Sequence, residues 1–256
     1  MRLCFSRGFR YIPGHRDPRS PDPSPIGERT VDKRVLAKYA SPEGAASYNV
    51  KYEEEAHKRL SNRVELRLLR RIFAHVGPRE RLLDLPSGTG RMFGEIGKAA
   101  RSTVECDYSR EMLKLCRKNI AGSGVPSRFV TASCFHMPYR DGAFDCVFSA
   151  RLMHHIPDRA ERIRFIAEMA RVSSDWVITT FFDTWSLKNI LRVIRRPFNR
   201  KRPKVTFTTA EMREIGARFG LRMEAAWPLS RLASGHRYAL FRKTAPAPAP
   251  PGTAAP

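Results

Sequence analysis

The sequence has few of the features that mark membrane-spanning, secreted or metal-binding proteins. No uncharged apolar stretch approaches the roughly 20 residues that a transmembrane helix requires. The five cysteines are widely spaced, with no pair at the two-residue gap of a zinc or redox motif, so neither disulfides nor a structural metal are expected. Arginines interrupt the N-terminal MRLCFSRGFR before a secretory apolar stretch can develop. We therefore expect a cytoplasmic protein and leave open a peripheral membrane location.

Acidic residues are also scarce, since 25 Asp and Glu oppose 47 Lys and Arg and leave a formal net charge of +22. Part of the excess is concentrated in residues 188–204, which contain eight Lys or Arg and no acid. A local concentration of one charge indicates a partner more strongly than a uniformly basic composition does. If this cluster is functional, it implies an anionic partner; solvated surface is the alternative.

Both ends of the chain have compositions that bury little apolar surface. The first 30 residues contain five prolines among arginines and polar residues, and the last 13 read TAPAPAPPGTAAP. Such segments are typical of disordered tails. The sequence thus predicts tails at 1–30 and 244–256, a helical segment at 31–76, and a domain at 77–243 with a basic insertion at 184–205.

Between the tails, short apolar runs alternate with segments of helical periodicity. Residues 53–76 have apolar side chains at helical spacing, and Gly77-Pro78 provides a stop. The apolar runs lie at 82–85, 103–106, 129–132, 144–150, 176–182, 221–227 and 238–241. Strands that alternate with helices need crossover connections, which produce a largely parallel sheet covered on both faces. The pattern therefore predicts a doubly wound α/β domain.

A glycine turn follows the first predicted strand. In LLDLPSGTGR, Asp84 lies near the end of the strand, and Gly88 and Gly90 flank Thr89. A doubly wound sheet binds ligands beyond the carboxyl ends of its strands, and glycine lets the backbone approach a ligand closely. No Gly-Lys-Ser/Thr follows, so a P-loop is excluded. A nucleotide-like ligand and a plain strand-to-helix connection both remain possible from this motif alone.

The second predicted strand ends in a carboxylate at Asp107, about 20 residues after the glycines. A carboxylate at this point can accept hydrogen bonds from both hydroxyl groups of a ribose. The alternative is that Asp107 caps the helix beginning near Ser109. The combination with the glycine turn favours ribose binding.

Several separated segments resemble the successive motifs of class I S-adenosylmethionine-dependent methyltransferases. They are LLDLPSGTGR, VECDYSREML, FVTASCFHMPYRDGAFDCVFSARLMHHIPD and RIRFIAEMARV, and together they cover roughly residues 60–182 in the family's order. The HHIP segment is similar to that of the small-molecule methyltransferase group. The resemblance implies a Rossmann-like, mostly parallel seven-stranded sheet, an N-terminal helical segment packed over the site, and S-adenosyl-L-methionine as cofactor.

The resemblance also implies roles for individual residues. Asp84 would orient the methionine end of the cofactor, and Gly88, Thr89 and Gly90 would line it with backbone. Asp107 would bind the ribose hydroxyls, while Tyr108 and Met112 would pack near the adenine. Ser133 stands where the family usually has an aspartate that accepts a hydrogen bond from the adenine amino group, and a hydroxyl accepts more weakly.

The candidates for chemistry follow the fourth predicted strand. Methyl transfer requires mainly alignment, and transfer to a hydroxyl also benefits from a base, for which imidazole is best matched to neutral pH. His154 and His155 are the candidate bases, with a purely structural role as the alternative. Arg151 could bind an anionic acceptor group or pair with a neighbouring carboxylate. Tyr48 and Tyr52 could contact substrate over the site or belong to the core.

The basic insertion contains a predicted amphipathic helix of about three turns. Its apolar stripe consists of Leu187, Ile190, Leu191 and Ile194. One interpretation is a helix that contacts an anionic membrane or nucleic acid. The other is a lid whose apolar stripe packs on the body of the domain.

The chain resumes the predicted fold after the insertion. Thr208 and Glu211 have the spacing of a capping box, and Gly220 stops the helix that follows. The last two strands are expected to pair antiparallel, as in the resembled fold.

The favoured function is S-adenosylmethionine-dependent methyl transfer to an oxygen or nitrogen of a small-molecule acceptor, for which an anionic acceptor is one option. A second hypothesis is a tRNA- or RNA-modifying methyltransferase, which the net charge supports. A third is a non-catalytic cofactor-binding paralogue, which the serine at position 133 supports.

Overall fold

The structure is a computed structural model that describes residues 31–195, 205–230 and 234–244. The predicted N-terminal tail, residues 245–256 of the predicted C-terminal tail, and residues 196–204 of the basic insertion lie outside this part. Among the described residues, no helix is long and apolar enough to cross a membrane.

Three helices precede the sheet: α1 (Lys33–Ala40), α2 (Pro42–Glu54) and α3 (Ala56–Val76). The side chain of Ser41 accepts a hydrogen bond from the backbone N–H of Gly44 and so caps α2, which has Pro42 at its first position. Gly77 ends α3 with a φ of 75°, a left-handed conformation that glycine adopts without strain. The segment predicted to be helical at 53–76 is divided between two helices: residues 53 and 54 end α2, and α3 begins after a break at Glu55.

The sheet has seven strands, and its order is β3-β2-β1-β4-β5-β7-β6. The strands are β1 (Arg79–Asp84), β2 (Ala100–Asp107), β3 (Ser127–Thr131), β4 (Phe144–Ser149), β5 (Ser173–Phe182), β6 (Leu221–Pro228) and β7 (His236–Lys243). All neighbours pair in parallel except β7, which is antiparallel to both β5 and β6. The predicted fold class is confirmed.

Helices cover both faces of the sheet. They are α4 (Phe93–Ala99), α5 (Arg110–Asn119), α6 (Arg159–Val172), α7 (Leu187–Ile194) and α8 (Thr209–Arg218). One buried cluster contains side chains of α6 and α8, and another contains side chains of α3 and α4. The two clusters lie on opposite faces because successive strand residues point to opposite sides. Helices α5 and α6 coincide with two of the segments of helical periodicity that separate the apolar runs of the sequence.

The strand order reverses between β1 and β4, which are neighbours in the sheet although two strands separate them in sequence. Diverging crossovers leave a crevice at such a point, beyond the carboxyl ends of the strands. The glycine turn after β1 and the segment after β4 therefore meet at one edge of the sheet.

Helix α7 differs from both its predicted length and its predicted packing. It has eight residues, little more than two turns, and its apolar stripe is exposed. The buried residue is instead Asn189, whose Nδ2 donates to the carbonyl of Asp183 at 2.7 Å. The expectation of a lid packed through its apolar stripe is therefore wrong, because α7 contacts the domain through a polar residue.

The capping box at α8 offers a direct test of local stability. The hydroxyl of Thr208 accepts from the backbone N–H of Glu211 at 3.1 Å, and the Glu211 carboxylate accepts from the backbone N–H of Thr208 at 2.7 Å. We expect Thr208→Ala to lower the free energy of unfolding by about 1 kcal/mol in urea denaturation. Thr208→Ser keeps the hydroxyl and is expected to behave like the unaltered chain; equal losses in the two variants would contradict the cap.

Candidate active site

A cavity of about 370 Å³ lies beyond the carboxyl ends of β1, β2 and β4. Most of the predicted site residues line it, namely Tyr48, Gly88, Thr89, Asp107, Tyr108, Met112, Ser133, Arg151, His154 and His155. Asp84 and Gly90, also predicted at the site, do not line it, and the side chain of Tyr52 is outside the described part of the chain. The crevice thus brings the cofactor-binding and catalytic candidates into one space.

The carboxylate of Asp107 is fixed by backbone on two sides. Its Oδ2 accepts from the N–H of Gly88 at 3.0 Å, and its Oδ1 accepts from the N–H of Ser109 at 2.8 Å. Each carboxylate oxygen has more than one acceptor position, so both can accept another hydrogen bond. The side chain of Asp107 is therefore oriented in advance at the cavity wall, as a ligand for two hydroxyl groups requires.

Burial changes the acidity of this carboxylate. Loss of solvent raises the pKa of Asp107 to about 6, against the opposing effect of the backbone hydrogen bonds. The ionised form, which accepts hydrogen bonds without donating, is dominant only above that pH.

The two glycines of the turn serve different purposes. Both have positive φ values, 56° at Gly88 and 78° at Gly90. A Cβ on Gly88 would meet no atom within 4 Å, whereas a Cβ on Gly90 would approach Ile120 to 2.9 Å. Gly88 therefore leaves open space beside Asp107 where a ligand can approach the backbone, and Gly90 permits close packing against α5. A nucleoside fits this cradle.

The neighbouring wall consists of residues at the start of α5 and after β3. Met112 is buried and Tyr108 is half exposed, so together they offer an apolar surface for a planar base. The hydroxyl of Ser133 accepts from the backbone N–H of Phe135 at 3.3 Å. Ser133 thus lies at the cavity with a hydroxyl that already has one local partner.

Two buried acids lie behind the cavity, at facing positions of β1 and β2. Asp84 and Glu105 are register partners and are almost fully buried. Burial, reinforced by the nearby charge of Glu105, raises the pKa of Asp84 well above its ordinary value, and burial raises the pKa of Glu105 to about 7. The carboxyl groups of Asp84 and Glu105 therefore favour a state in which they share a proton.

The N-terminal helices form another wall of the cavity. The backbone N–H of Asp32 donates to the carbonyl of His155 at 3.0 Å, and the hydroxyl of Ser109 donates to the carbonyl of Tyr39 at 2.5 Å. The ring of Tyr48 packs edge-on against Tyr39, with centroids 5.5 Å apart. These contacts attach α1 and α2 to both halves of the site.

Three imidazoles and a phenyl ring cluster after β4 and β5. The ring of His154 lies 3.9 Å from that of His155, 5.0 Å from that of His236 and 5.3 Å from that of Phe182, measured between centroids. Burial, followed by the charge of Arg151, lowers the pKa of His236 to about 3. His236 is therefore neutral at physiological pH and packs beside the two candidate bases.

Arg151 forms an ion pair with a buried carboxylate. Its Nε and Nη2 donate to Glu65 of α3 at 3.0 and 2.7 Å, and its φ of 59° is unusual for a residue other than glycine. Glu65 also accepts from Arg91 at 3.1 Å and from the hydroxyl of Tyr238 at 2.8 Å. Arg151 was expected either to bind an anionic acceptor or to pair with a neighbouring carboxylate. The structure shows the pairing, and Arg151 also lines the cavity.

The charge of Glu65 depends on these partners. Burial alone would raise its pKa, but the guanidinium groups of Arg91 and Arg151, with the hydrogen bonds from Arg151 and Tyr238, lower the pKa to about 2. Glu65 is consequently ionised throughout the physiological range.

Sequence reasoning assigned no role to Glu65, Arg91, His236 or Tyr238. The hydroxyl of Tyr238 and the carboxylate of Glu65 are joined across 173 positions of the chain. No local motif links such distant residues. A charged residue among the apolar positions of the 53–76 helix was the one available signal for Glu65.

A family comparison agrees with this geometry. Residues 83–175 match the family model described as a methyltransferase domain. The matched range contains the glycine turn, Asp107 and the His154-His155 segment, and it carries the parallel strands that form the crevice.

The chain contains a methyltransferase domain and has the fold of class I S-adenosylmethionine-dependent methyltransferases.

The individual relatives of this chain are distant. It is 31% identical over 121 residues to methyltransferase GfsG from Streptomyces halstedii, covering 46% of this chain and 40% of that protein. It is 28% identical over 204 residues to malonyl-[acyl-carrier protein] O-methyltransferase from Geobacter sulfurreducens, covering 75% of this chain and 72% of that protein. The chain thus spans less than half the length of GfsG, and the similarity does not transfer a substrate.

Among solved structures, magnesium protoporphyrin IX methyltransferase from Synechocystis PCC 6803 with bound S-adenosylhomocysteine has the same fold. The TM-score is 0.69 at 15% sequence identity, with 83% of this chain and all of that chain covered. Within the described residues of this chain, no group of three or more His, Cys, Asp or Glu side chains is placed to hold a metal ion.

The Glu65 ion pair predicts a large effect on stability. Glu65→Gln keeps the shape of the side chain but leaves Arg91 and Arg151 without a buried countercharge, so we expect the free energy of unfolding to fall by about 3 kcal/mol at pH 7. Because the pKa of Glu65 is lowered from 4.5 to about 2, the difference should persist above pH 4.5 and shrink as the pH falls toward 2.

Urea denaturation of both proteins across this pH range measures the effect. Glu80→Gln is the matched control, because Glu80 forms an exposed pair with Arg101 at 3.6 Å. It is expected to change the free energy of unfolding by less than about 1 kcal/mol. A loss at position 65 no larger than that at position 80 would show that the buried network contributes little.

Proposed function

We propose that this protein transfers the methyl group of S-adenosylmethionine to an oxygen or nitrogen atom of a small anionic molecule. The observation that carries the proposal is the position of the Asp107 carboxylate. It is held by two backbone N–H groups in the same cavity that His154, His155 and Arg151 line. A nucleoside site and a candidate base thus share one enclosed space.

The residues present fit the cofactor. Asp107 accepts hydrogen bonds from the two ribose hydroxyls, and the open space at Gly88 admits the nucleoside against the backbone. Tyr108 and Met112 cover the base, and Ser133 accepts from its amino group. When bound, S-adenosylmethionine supplies an electrophilic methyl group on a sulfonium sulfur.

The protein's chemical contribution is alignment, exclusion of water and removal of a proton. Helices α1 and α2 cover the cavity, and the backbone bond from Asp32 to His155 attaches this cover to the histidine segment. One imidazole of the pair takes the proton of the acceptor hydroxyl or amine as its bond to the methyl carbon forms. The neutral ring of His236 packs against His154 and restricts its orientation.

An anionic acceptor is favoured by the wall formed by Arg91 and Arg151. Both guanidinium groups line the cavity while they contact the carboxylate of Glu65. A carboxylate or phosphate on the acceptor suits such a wall, because Arg side chains match the geometry of these groups.

RNA is the second candidate acceptor, favoured by the net charge of +22 and by the eight cations of residues 188–204. A labelled-methyl assay separates the two hypotheses. The chain is incubated with S-adenosylmethionine carrying a tritiated methyl group and with either total RNA or the small-molecule fraction of a cell extract. We expect label in the small molecules. Label in RNA alone would favour RNA modification, and cofactor binding with label in neither fraction would favour a non-catalytic protein.

The acidity of Asp107 predicts how cofactor affinity depends on pH. Since the ribose hydroxyls donate to the ionised carboxylate and the pKa is about 6, affinity for S-adenosylhomocysteine should be constant above pH 7 and weaken as the pH falls through 6. Asp107→Asn should weaken binding at pH 8 by at least about tenfold, the worth of one or two charged hydrogen bonds. The same variant should also flatten the pH profile.

Isothermal titration calorimetry measures both effects. Asp141→Asn is the control, because Asp141 is an exposed carboxylate paired with Arg171 outside the cavity. It is expected to leave affinity and its pH profile unchanged. Unaltered affinity of the Asp107 variant at pH 8 would refute the assigned cofactor site.

The role of the histidine pair is tested by single replacements. His154→Ala and His155→Ala each remove one imidazole, and loss of the base should lower the rate of methyl transfer by about 10²- to 10⁴-fold with little change in cofactor affinity. The measurement is a single-turnover assay on the labelled acceptor fraction. His75→Ala, which alters an exposed histidine of α3, is the control. Full activity in both cavity variants would show that neither histidine is the base, and the pair would then have a structural role.

A further inference from the structure

Helix α7 is attached to the domain with its apolar side turned outward. An amphipathic helix on the surface of a globular protein normally buries its apolar stripe. Here the stripe residues have exposed fractions of 42% at Leu187, 37% at Ile190, 39% at Leu191 and 64% at Ile194. Asn189, on the opposite side of the helix, is 4% exposed.

Specific contacts hold the helix in this orientation. The hydroxyl of Ser186 caps α7 and donates to the carbonyl of Asp183 at 2.9 Å, and Nδ2 of Asn189 donates to the same carbonyl at 2.7 Å. A Cβ on Gly235 would come within 3.0 Å of the Asn189 amide, so the start of β7 packs tightly under this side of the helix. The outward stripe therefore follows from how α7 is bonded to the domain.

The exposed apolar surface extends beyond the stripe. Trp185 is 72% exposed immediately before the helix, and Val193 is 69% exposed within it. Single apolar side chains on a surface are ordinary, but six within ten residues indicate a contact surface. The same stretch, residues 184–195, carries three cations and no acid, with Lys188 and Arg192 along one edge of the stripe.

We propose that Trp185 and α7 form a docking surface for an anionic lipid bilayer. The apolar side chains enter the boundary between headgroups and acyl chains, the indole lies at the interface, and the cations contact anionic headgroups. Trp185 with residues 187–195 is called the docking helix below.

Nucleic acid and a second copy of the chain account for the surface less well. A polyphosphate would use the cations but would leave six apolar side chains in water. Two docking helices packed together would bring like charges of both copies close to each other. An eight-residue helix is also only about 12 Å long, which is short for an interface of the roughly 1,200 Å² that stable pairs bury.

The docking helix lies next to the cluster of His154, His236 and Phe182. The guanidinium group of Arg192 is 5.9 Å from the ring centre of Phe182, and the Phe182 ring packs against His154 and His236. Membrane contact would thus hold the histidine cluster close to the bilayer surface. The proposal concerns this surface alone and stands or falls separately from the identity of the acceptor.

Vesicle sedimentation of the full-length chain tests the proposal. The vesicles consist of phosphatidylcholine alone or of phosphatidylcholine with phosphatidylglycerol. We expect binding to the anionic vesicles, with the double variant Leu191→Gln/Ile194→Gln reducing the partition coefficient by at least about tenfold. The matched control is Val50→Gln/Leu60→Gln, two apolar residues of α2 and α3 with exposed fractions of 41% and 61%. This control should bind like the unaltered chain.

Charge and insertion are measured separately. Lys188→Gln/Arg195→Gln should weaken binding to anionic vesicles by roughly fivefold per charge, whereas Lys118→Gln/Arg213→Gln, two exposed cations elsewhere, should not. Tryptophan emission should shift to the blue when vesicles are added. The shift should disappear in Trp185→Phe, because Trp176 is buried and Trp227 packs against His75 of α3.

Three results would overturn the proposal. The first is vesicle binding that the stripe variant leaves unchanged. The second is a dimer in analytical ultracentrifugation that the stripe variant dissociates. The third is RNA binding that needs Lys188 and Arg195 in a chain that binds no vesicles. Calorimetric affinity for S-adenosylhomocysteine is measured in every variant and should stay constant, so a folding defect or a failed cofactor site is recognised independently.

Discussion

The carboxylate of Asp107 is the constraint on which the site depends. Two backbone N–H groups bind it, one from the turn after β1 and one from the start of α5, so a single side chain sets the distance between two connections of the sheet. The bond to Gly88 requires a left-handed backbone and leaves space where a side chain would stand. The same interaction therefore shapes the turn, orients the acceptor atoms and keeps the cradle open. Burial makes this arrangement sensitive to protonation near pH 6.

The two ends of the cavity differ in charge, and this difference matches two ligands. The end at Asp107 has a carboxylate and apolar neighbours, which suits a neutral nucleoside with hydroxyl donors. The end at Arg151 has two guanidinium groups around one buried carboxylate. The backbone of Arg151 has a strained, positive φ. Its N–H donates to the hydroxyl of Thr180 at 2.7 Å, which holds this conformation. This division fits the proposed methyl donor and acceptor lying side by side.

Much of the fold and half of the site could be predicted from sequence because the signals are local. Helices α5 and α6 follow from periodicity, the cap of α8 from Thr208 and Glu211, and Asp107 from its spacing to the glycines. Glu65, His236 and Tyr238 could not be found this way, because their contacts cross most of the chain. Periodicity also shows which residues share a face of α7 but not which way the face points; Asn189 and its bond to Asp183 decide that.

The Glu65 network has a consequence for where the structural unit of this chain begins and ends. The family match covers residues 83–175. The carboxylate that pairs with Arg91 and Arg151 belongs to Glu65, before this range, and the hydroxyl that donates to the same carboxylate belongs to Tyr238, after it. A fragment trimmed to the matched boundaries would keep both guanidinium groups and lose their shared counterion. The matched middle of the chain thus lacks part of its own charge network, and the smallest fragment that retains the Glu65 network must include both α3 and β7.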